Sequence, residues 1–295
     1  MHTLETLRRQ LESAQQLHQV AHTMKSLAAV NIRQYEEAVE AVSTYFDTIE
    51  LGLQIVLRER PVEHVVPHQP ATETLGLVVF GSDQGLVGQF NNRIAAFALD
   101  QIERMGIEPQ QRTVLVVGRL ALATFEQLGQ PVERLLPMPS SLSGVTSTVQ
   151  DLLLHLDQWR TARQLDQVVL FYNTPRSGTT YEPTLRRLLP LSDHWLRRLQ
   201  QREWQSRGLP FYRMDWAELF LALVRQYLFV SLYRALVDSL ASENASRLDS
   251  MQAAEKNIRE RLDELHRQYH RLRQSSITEE VLDITSGFEA LKDSS

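Results

Sequence analysis

The sequence predicts an α/β protein: a long antiparallel coiled coil of N- and C-terminal helices plus a central Rossmann-like α/β domain. Apolar residues repeat in sevens at both ends of the chain, proline is absent from those ends, and short apolar runs alternate with amphipathic stretches between them. The expected division is 1–60 for the N-terminal coiled-coil helix, 61–211 for the α/β domain, and 212–295 for the C-terminal helix that pairs with 1–60.

Residues 4–57 contain no proline and one glycine, Gly52. They can therefore form a helix of roughly 54 residues, about 80 Å long at ~1.5 Å per residue. A fixed heptad frame runs through Leu4, Leu7, Leu11, Ala14, His18, Ala21, Lys25, Ala28, Ile32, Tyr35, Val39, Val42, Phe46, Ile49, Leu53 and Val56. A sustained repeat of this kind implies supercoiling against a partner helix. Ala14, Ala21 and Ala28 make a thin seam with His18 and Lys25 between them. Such polar positions fix register at some cost in stability, or else they meet a third surface.

Pro61, Pro67 and Pro70 mark a linker. Strands are then expected at 75–80, 113–117 and 167–172, with helices at 91–105, 120–128 and 146–163. Strands separated by helices imply a small, mostly parallel sheet. The segment 181–208 carries no clear periodicity, and 197–207 reads as a polar surface element. From about 214 to 291 the chain is again free of proline. Its frame runs Trp216, Phe220, Leu223, Tyr227, Val230, Arg234, Val237, Ala241, Asn244, Leu248, Met251, Glu255, Ile258, Leu262, Leu265, Tyr269 and Leu272. At roughly 115 Å this helix outruns its partner, which leaves one end unpaired.

Composition removes several function classes. The chain has 295 residues, is 43% hydrophobic and contains no cysteine, which excludes disulfides, cysteine-ligated zinc and thiol catalysis. A net charge of −5 argues against nucleic acid, whose binders need a basic surplus. No run approaches the roughly 18–20 apolar residues that cross a bilayer, and residues 1–5 do not resemble a signal peptide, so a cytoplasmic product is expected.

The motifs are weaker than the periodicity. Gly81 to Gly88 follows the first strand and precedes a helix, where a phosphate would sit in a doubly wound fold. The spacing matches neither G-x-G-x-x-G nor the P-loop, and the loop contains no lysine, so a tight turn that uses glycine for backbone reasons is the favoured reading. His266 and His270 have metal-ligand spacing, but Arg271 and Arg273 oppose a cation. Asp193 and His194 lack a nucleophile. No catalytic, cofactor-binding or metal-binding residue is expected. The patch Arg273-Gln274-Ser275-Ser276-Ile277-Thr278-Glu279-Glu280 interrupts the seam. Beyond it, Val281, Ile284, Phe288 and Leu291 join Ile277 in placing apolar groups on the overhanging end, which calls for a sleeve of another protein.

With these residues in view, the chain resembles the γ subunit of F-type ATP synthases over nearly its full length. Met24-Lys25-Ser26-Leu27-Ala28-Ala29-Val30-Asn31-Ile32-Arg33 is similar to that family's A-M-x-x-V-A-A-x-K-[ML]-R pattern. Asp83-Gln84-Gly85-Leu86-Val87-Gly88-Gln89-Phe90-Asn91 is similar to D-R-G-L-C-G-x-x-N. Leu240-Ala241-Ser242-Glu243-Asn244-Ala245-Ser246-Arg247 and the patch from Arg273 to Glu280 resemble L-A-S-E-x-A-A-R and A-R-Q-A-x-I-T-x-E-[LI]. Gln84, Val87 and Asn31 depart from the motifs, as expected of a divergent chain, and the resemblance extends to the alternative bacterial F-type branch, a branch associated with sodium pumping.

The resemblance implies a non-catalytic central-stalk rotor subunit that couples rotation of the membrane ring to conformational change at nucleotide sites on β subunits, with proton or sodium transport. Implied partners are the α and β subunits of the hexamer, the epsilon subunit and the membrane c-ring, at the cytoplasmic face of the bacterial inner membrane. Met24, Arg247, Arg273, Gln274, Thr278, Glu280, Ile284 and Phe288 are the implied partner-contact residues. Without the resemblance, a nucleotide-binding α/β enzyme dimerising through its helices and a coiled-coil scaffold remain open.

Overall fold

The computed structural model describes residues 3–60, 74–163, 165, 167–204, 208 and 211–292, with side chains as far as residue 286. The linker prolines 61, 67 and 70 therefore lie outside the described residues, as do the side chains of Phe288 and Leu291. The elements are α1 (Leu4–Glu59), β1 (Leu75–Phe80), α2 (Phe90–Arg104), β2 (Arg112–Val117), α3 (Arg119–Gln127), β3 (Arg134–Leu136), α4 (Val145–Arg163), β4 (Gln167–Pro175), β5 (Tyr181–Leu189), α5 (Asp193–Gln201) and α6 (Trp216–Lys292). The chain falls into two compact units, residues 28–247 and the pair of segments 1–27 and 248–295.

In the larger unit, five strands form a sheet in the order β3-β2-β1-β4-β5. The contacts of β1 with β2 and β4, and of β2 with β3, are parallel, whereas β5 runs antiparallel to β4. Both faces are covered, which is why the inner strands read as continuous apolar runs. Val78, Phe80, Leu115, Val117, Val168 and Leu170 face a core shared with α4, α1 and α6. The alternate residues Leu77, Val79, Val114, Val116, Val169 and Phe171 face α2 and α3. This alternation follows from the two-residue period of a strand.

Segment 181–208, left unassigned from the sequence, holds a strand and a helix, and of the described residues in the polar-surface stretch 197–207 only Leu199 is buried. β5 is an edge strand, which tolerates Pro183 and the basic Arg186 and Arg187 because one side of its ladder is free. Ser192 caps α5 by accepting from the Trp195 amide at 3.4 Å, and Leu196 and Leu199 bury one face of that short helix. These two leucines join Leu53, Val56 and Leu57 of α1 and Phe220, Tyr227 and Val230 of α6 in a third core.

Within the larger unit α1 and α6 run antiparallel. The Trp216 indole donates to the Val56 carbonyl at 2.9 Å, Tyr45 donates to Gln226 at 3.1 Å, and Asn31 donates to Asn244 at 3.3 Å. All residues from 231 to 247 are buried or half-buried. By length and composition α6 contains a stretch apolar enough to cross a bilayer, contrary to the sequence reading. Leu232, Ala235, Leu236, Val237, Leu240 and Ala241 of that helix instead pack on the sheet.

The smaller unit is a helix pair, also antiparallel. Leu7 and Leu11 pack with Leu265, flanked by Ala14, Leu262, Tyr269 and Leu272. Every position of both heptad frames is buried or half-buried across the two units.

Close packing at the end of β1 depends on one glycine. A Cβ at Gly81 would lie 2.2 Å from the Ala121 Cβ, and the Gly81 amide donates to the Val117 carbonyl at 2.8 Å. Overpacking of this kind typically costs about 1–3 kcal/mol. Gly81→Ala should therefore lower the unfolding free energy of the chain by about that amount in urea titration, and a loss below about 0.5 kcal/mol would contradict this packing.

Candidate functional site

In a doubly wound sheet the ligand crevice opens at the carboxyl ends of strands whose connections leave in opposite directions. The order β3-β2-β1-β4 puts that crevice between β1 and β4. Here α6 meets the loop that follows β1 and the carboxyl-terminal part of β4 itself. Ser246 Oγ donates to the Val87 carbonyl at 2.7 Å, and Ser242 Oγ donates to the Asn173 carbonyl at 3.0 Å. Short serine side chains let the helix approach this closely while satisfying the exposed carbonyls.

The loop after β1 is likewise closed on itself. The Ser82 amide donates to Asn91 Oδ1 at 3.0 Å, and Asn91 Nδ2 donates back to Ser82 Oγ at 2.9 Å. The Asp83 carboxylate accepts from the Arg119 amide at 2.7 Å and the Met138 amide at 3.1 Å. The amide at the α3 N-terminus, which an anionic ligand would use, is thus taken by a side chain of the protein. Gly118 enters α3 at φ 111°, and a Cβ there would lie 2.7 Å from the Ser82 amide nitrogen. The tight-turn reading describes this loop, and the capping role of Asp83 was not legible because its partners lie 36 and 55 residues away.

Beside that loop lies a buried polar cluster. Arg247 is 6% exposed and donates to Glu243 at 2.6 Å and to Asn244 at 3.4 Å. Its guanidinium is therefore engaged within the chain. Burial pushes the Glu243 carboxyl up to about 6; Arg247 opposes the rise, and the Asp83 charge adds to it. Asp238 is also raised to about 6 by burial, against the pull of Arg234, 3.9 Å away, and of Arg186.

In the smaller unit Glu255 is the hub of the seam. It pairs with Lys25 through a short contact, with His22 Nδ1 at 3.2 Å, with Arg259 at 3.6 Å and with His18 Nε2 at 3.9 Å. The hydrogen bonds from Lys25 and His22 hold its carboxyl down at about 2, against a smaller effect of burial. His18, Lys25 and Glu255 all lie in the heptad frames, so this polar layer has the register-fixing character that polar seam residues supply. Met24 is half-buried and lies off the frame, in line with the exposed Leu17, Val20 and Leu27. Sequence reasoning missed those three neighbours, although their three-four-three spacing marks a second apolar stripe on α1.

Past Leu272 the seam ends. Arg273, Gln274, Thr278 and Glu280 are exposed on α6, as are Ile277, Val281, Leu282 and Ile284, the last at 73%. No described residue of α1 lies opposite them within this unit, because the frame pairing of Leu7 with residues 265–272 leaves only the first turn beyond. Phe288 is on the same helix with its side chain outside the described residues. Among the described residues no group of three metal-ligating side chains forms. His266 and His270 are exposed, with ring centroids 6.4 Å apart.

A family profile described as ATP synthase matches residues 3–291. The ATP synthase gamma chain of Nostoc sp. is 27% identical, covering 99% of this chain and 100% of that one. The ATP synthase gamma chain of Staphylococcus carnosus is 25% identical over the same shares. Among solved structures, the rotor of the Euglena gracilis mitochondrial ATP synthase superposes with a TM-score of 0.63 at 17% identity, covering 93% of this chain and 98% of that one. The Tetrahymena thermophila central stalk and c-ring structure gives 0.57 at 20% identity, covering 80% and 99%.

The two kinds of carboxylate should separate in titration. Asp238 binds its proton more tightly folded than unfolded, so its contribution to stability grows as pH falls through about 6 and is complete below the ordinary carboxylate range. Between about pH 7 and 5 the wild type should gain about 1 kcal/mol of unfolding free energy over Asp238→Asn. Equal pH slopes would contradict its burial. Glu255 has the opposite sign: its contribution is present above 4.5 and is lost as pH falls toward about 2. Glu255→Gln should therefore flatten the acid limb of helix loss followed by circular dichroism, and an unchanged limb would contradict the hub.

Proposed function

This chain belongs to the gamma-subunit family of the ATP synthases, a non-catalytic central-stalk rotor subunit of F-type complexes, and we propose that it couples ring rotation to nucleotide chemistry through α6 and the start of α1. The observation that carries the reading is the end of α6. Its polar patch and apolar residues past Leu272 are exposed on a helix that has left its partner, which suits a surface built to meet other subunits.

In this reading Arg273, Gln274, Thr278 and Glu280 form a polar catch against a β subunit, and Ile284 and Phe288 turn within an apolar sleeve formed by the α and β subunits. Met24, with its apolar neighbours, forms a second contact lower on the helix pair. Arg247, held by Glu243, positions the adjoining helix surface. The epsilon subunit and the membrane c-ring meet the α/β part, so that the chain works at the cytoplasmic face of the bacterial inner membrane in proton or sodium transport. The functional division is 1–60 and 212–295 for the rotor helices and 61–211 for the part that meets the ring. The departures at Gln84, Val87 and Asn31 suit the alternative bacterial branch.

The physical requirement is differential contact. A partner shifts a site between conformations only to the extent that it binds one of them better, so a stalk that meets each β subunit with a different side holds chemically identical sites in different states. Nucleotide chemistry on this chain itself is disfavoured by Ser242 and Ser246, which bring α6 into the crevice where a Rossmann ligand would sit.

Co-expression with the α and β subunits of the source organism tests the reading. A complex whose ATP hydrolysis depends on this chain is expected, and failure to associate would overturn it. Arg273→Ala with Gln274→Ala should weaken assembly or coupling by about tenfold, the worth of a charge-assisted hydrogen bond, without changing the melting of the free chain. An unchanged pump would remove these residues from the catch.

A further inference from the structure

The larger unit encloses an ion pair beside a cavity. Glu243 and Arg247 are 5% and 6% exposed, and the guanidinium donates to Glu243 Oε1 at 2.6 Å and to Asn244 Oδ1 at 3.4 Å. Glu243 Oε2 is buried and accepts no hydrogen bond from any described residue. A carboxyl enclosed with one oxygen unmatched leans toward its neutral form, because desolvation penalises the charged form most. Glu243 and Arg247 also border a cavity of about 190 Å³, together with Asn31 and Tyr35 of α1, Asp83 of the loop after β1 and Arg119 of α3. That volume is several times the roughly 30 Å³ that one water occupies, enough for a guanidinium to enter.

The groups that face Glu243 come from every element around this cavity. Arg247, on its own helix, opposes the effect of burial, and the Asp83 charge adds to it. Tyr35 of α1 has its hydroxyl pushed up by burial and by the Glu243 charge, against Arg247, so it stays neutral where Glu243 titrates. Arg119 lies 3.6 Å from Asp83 with its side chain 71% exposed, and a solvated pair of this kind holds its carboxylate weakly. Asp83 accepts from two backbone amides, and a carboxylate has about four acceptor sites, so it can take a further donor. We propose that Glu243, Arg247 and Asp83 form a proton-operated switch: when Glu243 takes a proton, the Arg247 guanidinium leaves it and turns into the cavity to pair with Asp83. A buried guanidinium that has lost its counter-charge is strongly disfavoured, and Asp83 is the other carboxylate on the cavity wall. Asn244 Oδ1, which accepts from both Arg247 and Asn31, then keeps only its link to α1. The contact between α1 and α6 is thereby altered as pH falls through the range in which Glu243 titrates. The switch belongs to the folded chain and does not rest on the rotor reading.

Crystal structures of the full chain at about pH 8 and about pH 5, on either side of the Glu243 carboxyl at about 6, read the switch directly. Arg247 is expected on Glu243 at the higher pH and on Asp83 at the lower; Arg247 on Glu243 in both would overturn the proposal. Glu243→Gln should hold Arg247 on Asp83 at the higher pH as well, and an Arg247 that stays beside the glutamine would equally overturn it. If that variant fails to fold, the wild type decides by carbon-13 NMR of the Glu243 carboxyl and nitrogen-15 NMR of Arg247 Nε. Both signals should move together with a midpoint of about 6. A carboxyl midpoint at the ordinary glutamate value of about 4.3, or an Arg247 signal that does not follow it, would contradict the switch.

Discussion

The constraint on which the larger unit depends is the burial of residues 231–247 of α6 on nearly every side. A helix can be enclosed in this way only if its side chains are small or apolar where a backbone approaches, and Ala235, Ser239, Ala241, Ser242, Ala245 and Ser246 supply that surface. The same stretch completes the core against the sheet, approaches the crevice at its carboxyl ends and meets α1 through Asn244. Separating it would expose the apolar residues of one sheet face and leave the carbonyls of Val87 and Asn173 without their donors. A helix anchored in this way is suited to transmit force, because its movement is resisted by close packing and not by loop stiffness.

Electrostatics differ between the two units in a way that follows from the partners of each carboxylate. Glu255, 7% exposed, sits among several cationic donors, and the hydrogen bonds from Lys25 and His22 hold its carboxyl charged. Glu243 and Asp238 are enclosed, and burial outweighs their arginine partners. The polar layer of the helix pair fixes register at modest cost, whereas the buried pair of Glu243 and Arg247 contributes specificity to an interface whose stability comes from its apolar neighbours.

Much of this was legible in the sequence because periodicity is a strong signal when a helix is long. Every position the heptad frames named is buried or half-buried, including the polar trio of His18, Lys25 and Glu255, although Ala38, Gln54 and Leu57 of α1 are buried outside the frame, and the first strand was read at residues 75–80 as it stands. β3 escaped because three residues are too few to show a period, and β5 because an edge strand can carry Pro183 and two arginines. The polar cluster was hidden for a different reason. Asp83, Glu243 and Asn31 are brought together by packing over long sequence separations, and no local pattern encodes such meetings. The exposed end of α6 was expected from the unequal helix lengths, but what it touches belongs to other chains.

The proposed role, that this chain turns inside a ring of α and β subunits while ATP is hydrolysed, is open to direct observation. Because the chain has no cysteine, a single substitution such as Gln127→Cys on the exposed side of α3 gives a unique attachment point. With the ring fixed to a surface and a bead on that thiol, the account predicts stepwise, one-directional rotation that requires ATP. A stable, hydrolysing complex in which the bead shows only Brownian motion would contradict it.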